Sequence, residues 1–213
     1  MIDFADPDAP AVEPIDFEYR AHGFVLCAVD THTSHADLTD DYAAIPADMT
    51  AIARALGQPV LRYVNQSDLD TLRGISPLAR ERARHFFAEN ERVPGMAEAL
   101  RRGDMDAVIA LMNESGRSSR ERLQNVVPPS HPERREMAEA LDRAEGLLSG
   151  KGAWRIHGGG FAGCIQCLVP AADFDGFRAA MDRWYGEGAC FELRIRPCGV
   201  HFLGTGVPGA DHA

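Results

Sequence analysis

Ala153-Trp154-Arg155-Ile156-His157-Gly158-Gly159-Gly160-Phe161-Ala162-Gly163-Cys164-Ile165-Gln166-Cys167-Leu168-Val169 is the stretch on which the architecture turns. Ala153–Ile156 and Cys164–Val169 are apolar runs of strand length. Between them, four of the six residues Gly158–Gly163 are glycine. Glycine loses more conformational freedom on folding than any other residue. Such a density is tolerated where backbone must turn at positive φ or approach another group closely. The N–H groups of such a turn can face a phosphate or a sugar. Taken without its neighbours, the run reads equally well as a bare hairpin turn or a ligand loop.

Downstream, Asp173–Tyr185 has the spacing of an amphipathic helix, and Cys190–Ile195 reads as a last strand. The order strand, tight loop, strand, helix, strand predicts a small antiparallel sheet layered with helices, an α+β fold. From Pro197 the chain is rich in glycine and reads as a loose tail.

Upstream, Phe24–Val29 is a buried strand, followed by a polar loop, Thr31 to Asp37. A helix is predicted over Thr39–Leu56, with Thr39 as cap, Asp40 and Asp41 at its positive end and Pro46 a point of kinking. Val60–Val64 reads as a short strand. Ser76-Pro77 opens a helix through Leu100 in which Pro94 should kink or break the chain. Gly103 stops it, and Asp104 caps the next helix, up to about Gly116. Ser130 and Glu133 form a capping box for a helix bearing Met137, Leu141, Ala144 and Leu148. At the start, Met1–Phe4 and Ala11–Phe17 are short extended pieces around a Pro/Asp turn. They read as a sheet edge without its sheet.

Composition bounds the function. Of 213 residues, 45% are hydrophobic and 25% charged, and the net charge of −10 argues against nucleic acid as the main partner. No apolar run is long enough to span a bilayer. Met1–Asp6 is acidic, without the basic start of a signal peptide. Five cysteines, an odd number, fit reduced thiols in a cytoplasmic protein.

Other candidate sites are weighed against plainer readings. Asp30-Thr31-His32-Thr33-Ser34-His35-Ala36-Asp37 has histidines and carboxylates but matches no standard zinc spacing. A polar loop whose Asp and Ser side chains bond backbone is preferred. Tyr42, in the first turn of its helix, can aim a hydroxyl at a ligand or simply pack half-buried. Cys164 and Cys167 form C-x-x-C on a strand, where residues three apart face opposite ways, against a redox or zinc role. Arg80–Arg84 with His85 reads as a solvated basic face. No complete catalytic set is present, and no metal ligand set is assigned.

Four segments together carry a resemblance. Arg155–Cys164 resembles the galactokinase motif R-M-T-G-G-G-F-G-G-C. Asp30-Thr31, His35 and Asp41-Tyr42 resemble D-T-x-x-x-H-x-L-x-x-x-E-Y. Arg82–Val93 resembles R-A-R-H-V-x-x-E-N-x-R-V, and Leu111–Ser115 resembles L-M-N-x-S. On these residues the chain is similar to galactokinases, of the GHMP kinase superfamily of small-molecule kinases. His157 stands for threonine, Ala162 for glycine and Asp41 for glutamate. The resemblance covers the C-terminal half only. The family's G-E-H-T-D-Y sugar motif, serine-rich phosphate loop and aspartate base have no counterpart in these 213 residues.

The resemblance implies a ferredoxin-like C-terminal GHMP domain over residues 21–198. It implies a hairpin of an N-terminal domain over 1–20, and a flexible tail over 199–213. It implies ATP-dependent phosphorylation of galactose, with Tyr42, Gly159 and Gly160 meeting the sugar. Gly158, Phe161, Ala162 and Gly163 would shape the loop near the phosphate site. ATP and Mg2+ would be held mainly by the N-terminal half, which is also the expected partner, and no residue here would be catalytic. A GHMP kinase for another sugar or alcohol, or a sugar-sensing module, are the alternatives.

Overall fold

The computed structural model describes residues 1–196. A four-stranded sheet is built from β3 (Phe24–Asp30), β4 (Ala153–Ile156), β5 (Cys164–Pro170) and β6 (Cys190–Glu192), after a separate short hairpin of β1 (Ile2–Asp3) and β2 (Ala11–Val12). All its pairings are antiparallel, in the order β4-β5-β3-β6. Five helices are α1 (Thr39–Ala55), α2 (Pro77–Arg102), α3 (Met105–Ser118), α4 (Glu136–Leu148) and α5 (Phe174–Tyr185). From β3 through α4, β4, β5 and α5 to β6, the chain makes the β-α-β-β-α-β order of a ferredoxin-like fold. Helices α1 to α3 are inserted between β3 and α4.

The sheet is covered on both faces. Val25, Cys27, Val29, Ile165, Cys167 and Val169 face Met137, Leu141, Leu148, Phe177 and Met181 of α4 and α5. Leu168 and Ala153 face Ala99, Val108 and Met112 of α2 and α3. A strand buried on both faces reads as a continuous apolar run, which is why Phe24–Val29 shows no alternation. Each such side chain contributes about 1.5–3 kcal/mol by leaving water.

The edge strand β4 is secured by a side chain. Asn113 of α3 accepts from Trp154 N at 3.0 Å and donates to Gly152 O at 3.1 Å. The polar groups of an unpaired edge are thereby satisfied. The asparagine of the Leu111–Ser115 segment is thus a structural brace.

Several sequence expectations need correction. Val60–Val64 is not a strand: a 3-10 turn, Leu61–Tyr63, drives Leu61 into a cluster with Ile52, Leu69 and Ala83. Pro94 does not break α2, and Pro46 does not split α1. Pro94 and Asn90 are exposed, so the carbonyl that Pro94 cannot serve is open to water. Thr39 does not cap α1; the flanking residue is Leu38, with no side-chain bond. Ser130 and Glu133 do not cap α4, which begins at Glu136. Ser130 instead donates from N and Oγ to the Asp41 carboxylate, and Glu133 pairs with His131. A long-range carboxylate has displaced the local cap. The strand expected over Cys190–Ile195 ends at Glu192, and the extended piece expected over Ala11–Phe17 pairs only at Ala11–Val12. The expected tail from Pro197 lies outside the described residues.

The basic run on α2 is not a solvated face. Arg82 is 2% exposed, paired with Asp48 at 2.7 Å and donating to Leu123 O at 3.2 Å. His85 is also buried, with Nδ1 2.9 Å from Ser118 Oγ. Burial pushes the His85 imidazole below its ordinary range, with Glu89 opposing and Arg92 reinforcing. The sign follows from linkage. The unfolded histidine takes its proton near pH ~6.5, before the folded one does, so acid favours unfolding. The His85 contribution is complete above that pH and is lost as pH falls through the lower folded value. We predict that His85→Gln flattens the fall in unfolding free energy below pH ~6.5, read by urea titration at several pH values. An unchanged slope would reject this role.

Candidate functional site

The glycine run follows β4 and meets the loop and first turn that follow β3. His157 N donates to Cys164 O at 3.1 Å, closing the base of the turn. Gly158 and Gly159 are exposed, while Gly160, Phe161 and Ala162 are buried. Gly158, Gly160 and Gly163 have φ of +84°, +88° and +88°, and Phe161 has +60°. Ala162 N donates to Gly160 O at 2.7 Å, a tight turn centred on Phe161. A phenylalanine in the left-handed region costs about 1–3 kcal/mol and persists where surroundings hold it. Here Phe161 is clamped: its N–H donates to Asn125 O at 2.6 Å, and its ring meets Tyr42 edge-on at 5.2 Å. Leu38, Phe161 and Ala162 form one apolar cluster with Tyr42 and Ile45 against it.

Tyr42 Oη lies 2.5 Å from Gly160 O and 2.7 Å from His35 Nδ1. Burial pushes the Tyr42 phenol above its ordinary pKa, so it keeps its proton. The Tyr42 ring passes beneath Gly159, where an added Cβ would lie 3.0 Å from Cε1. The loop after β3 holds the other end: Thr31 N and Oγ1 both donate to Gly163 O, and Gly163 N donates to Thr33 Oγ1. Tyr42 and Gly158–Gly163 are therefore one assembly. Asp41, its neighbour in sequence, is turned away toward Ser130.

Sequence reasoning missed Asn125. It follows a π-turn, Ser119–Leu123, and donates from Nδ2 to Gly159 O at 3.0 Å while its carbonyl takes Phe161 N. No motif marked it. In the sequence, Thr31, Thr33 and His35 belong to the polar loop after β3, and Thr31 and His35 also to a resembling motif. Their bonds to the glycine turn were not legible. The polar-loop reading agrees with the bonds from His32 N to Asp30 Oδ1 and from Ala36 N to Ser34 Oγ.

Among the described residues, no group of three or more His, Cys, Asp or Glu comes together to hold a metal. Cys167 is buried, while Cys164 is partly exposed on the other face. The Cys27 thiol is driven far up by contact with Cys167 and by burial, and Cys190 by contact with Cys27 and burial. Protonated buried thiols are poor nucleophiles and poor ligands. The site offers instead a rigid backbone turn, exposed at Gly158–Gly159, beside a tyrosine hydroxyl.

Comparison with known proteins gives this assembly its setting. Residues 96–186 match the family described as GHMP kinases C terminal. A galactokinase of Actinobacillus pleuropneumoniae is 28% identical over 190 residues, covering 85% of this chain and 48% of that protein. A galactokinase of Mycobacterium tuberculosis is 36% identical over 173 residues, covering 80% of this chain and 44% of that protein. The crystal structure of Lactococcus lactis galactokinase complexed with galactose superposes with a TM-score of 0.67 at 20% identity, over 88% of this chain and 48% of that one. The chain spans about half the length of the curated relatives it matches.

Proposed function

We propose that this chain, whose sequence and fold resemble the C-terminal half of galactokinases, forms one wall of a sugar kinase cleft and needs an N-terminal half to act. The reaction is transfer of the ATP γ-phosphoryl group to the anomeric hydroxyl of α-D-galactose, giving galactose 1-phosphate. One observation carries the reading. The Tyr42 hydroxyl rests on the Gly160 carbonyl, joining two of the four matching segments across 118 positions.

Phosphoryl transfer depends on positioning and on neutralising developing charge. In this proposal Tyr42 and the backbone of Gly159 and Gly160 meet the sugar. Gly158, Phe161, Ala162 and Gly163 fix the loop beside the phosphates; the N–H groups of Phe161, Ala162 and Gly163 are spent within the turn and its braces, so the donors to a ligand are sought at Gly158–Gly160. His157 and Ala162 shape this turn differently from one with threonine and glycine. Among the described residues, no three or more His, Cys, Asp or Glu side chains come together as metal ligands. ATP with Mg2+ is assigned to the N-terminal half.

The surface supports such a partner. Residues 1–20 are assigned to a hairpin of the N-terminal domain and 21–198 to the C-terminal domain. Met1, Ile2, Phe4, Val60, Tyr63 and Val93 are all exposed, and all line one groove of ≈ 980 Å³. Exposed apolar side chains gathered along one groove fit a contact surface.

The test joins this chain to the N-terminal half of the Mycobacterium tuberculosis galactokinase and measures ADP formation. Galactose-dependent turnover is expected from the joined protein and none from the 213-residue chain alone. Turnover by the chain alone would overturn the division of labour. Turnover with N-acetylgalactosamine or a non-sugar alcohol in place of galactose would replace the substrate. Galactose binding without turnover, in a joined protein shown by its melting curve to be folded, would favour a sensing module.

A further inference from the structure

Gly160 O takes two donors from within the site. Ala162 N lies 2.7 Å from it and Tyr42 Oη 2.5 Å. A carbonyl oxygen has no proton and a phenol has one. Two oxygens 2.5 Å apart attract only when that proton lies between them. The Tyr42 proton is therefore committed to Gly160. The 2.7 Å contact between Tyr42 Oη and His35 Nδ1 must then be served by a proton on the histidine.

We infer that His35 is held with its proton on Nδ1 and acts as a positioning residue that fixes the direction of the Tyr42 hydroxyl. The chain of donation runs from His35 to Tyr42 to Gly160. It ties the loop after β3 and the first turn of α1 to the turn after β4. Both bonds of Tyr42 are used, and one lone pair remains. Tyr42 can accept a further hydrogen bond and cannot donate one. On the reading that Tyr42 meets a sugar, on which this step rests, the hydroxyl that it meets must be the donor. A ligand presenting an acceptor at that position is selected against, because a desolvated acceptor facing a lone pair is left unpaired.

The other ring nitrogen makes no competing bond to Gly163. His35 Nε2 stands over Gly163, where an added Cβ would lie 3.0 Å away. Gly163 directs its own N–H to Thr33 Oγ1 and its carbonyl to Thr31, so no backbone group of Gly163 is left to hold Nε2 in the opposite role.

Which ring nitrogen carries the proton is set by the bond it makes and can be read directly. The chain labelled with 15N-histidine is examined by long-range 1H–15N correlation above the pH of histidine protonation. His35 Nδ1 is expected at a protonated, pyrrole-like shift and Nε2 at a bare, pyridine-like one. The reverse pattern would overturn the inference. A second measurement uses amide hydrogen exchange at Ala162, whose acceptor is Gly160 O. His35→Ala is expected to speed this exchange about five- to tenfold, and His35→Asn, which restores an N–H near the Nδ1 position, to return most of the protection. Equal exchange in all three proteins would also overturn it. Neither readout needs phosphorylation, so a failed kinase test leaves this inference intact, and the reverse holds equally.

Discussion

Gly160→Ala is expected to lower the unfolding free energy by about 3 kcal/mol or more and to dismantle the glycine turn. Gly160 has φ +88°, where an L side chain is strained. Its missing Cβ would lie 2.2 Å from Asn125 O, 2.6 Å from Nδ2 and 2.9 Å from Cγ. The first of these is backbone, and the same oxygen takes Phe161 N at 2.6 Å, so it cannot retreat without releasing Phe161. Gly158→Ala is the control. Its φ is +84°, but an added Cβ meets nothing within 4 Å. It should cost only the left-handed penalty, about 1 kcal/mol. Urea denaturation of the two variants separates backbone strain from close approach. Equal losses would reject the contact with Asn125 as the reason for glycine at 160.

Asp48→Ala is the second large effect, with an expected loss of about 3 kcal/mol. Removing Asp48 leaves the Arg82 guanidinium buried with Leu123 O as its remaining partner. Asp48 itself is 29% exposed, so entering water moderates the penalty. Arg82→Met removes the charge and keeps most of the volume. It should cost less than Asp48→Ala, because no charge is then stranded. Denaturant titration with both variants makes the comparison. A larger loss in Arg82→Met would show that the arginine is held by its packing and not by its ion pair.

Both predictions rest on contacts that the sequence did not display. The R-A-R-H segment was legible as a match, yet Arg82 read as a surface charge. Its burial depends on Asp48, 34 positions away, and on Leu123 after α3. Ser130 read as a helix cap because a capping pattern is local. The carboxylate that takes it comes from Asp41, 89 positions away. Pro94 reads as a kink or a break because its missing N–H is local; α2 runs on through it because the solvent that serves the orphaned carbonyl is a property of the folded surface.

What the sequence determined by itself was the part governed by short-range physics. The apolar runs at Phe24–Val29 and Cys164–Val169, the helical spacing of α4 and α5, and the glycine density at 158–163 each specify local backbone. Their order specified an antiparallel sheet under helices. The tertiary structure alone decided the conformation of the glycine turn. Glycine at four of its six positions allows many conformations, and the one adopted is held by Asn125, by Tyr42, and by Thr31 and Thr33 of the loop after β3. A hydrogen bond has a direction and a reach of about 3 Å. No spacing in sequence can encode which distant group arrives within that reach, and that arrival holds a run of glycines in one conformation.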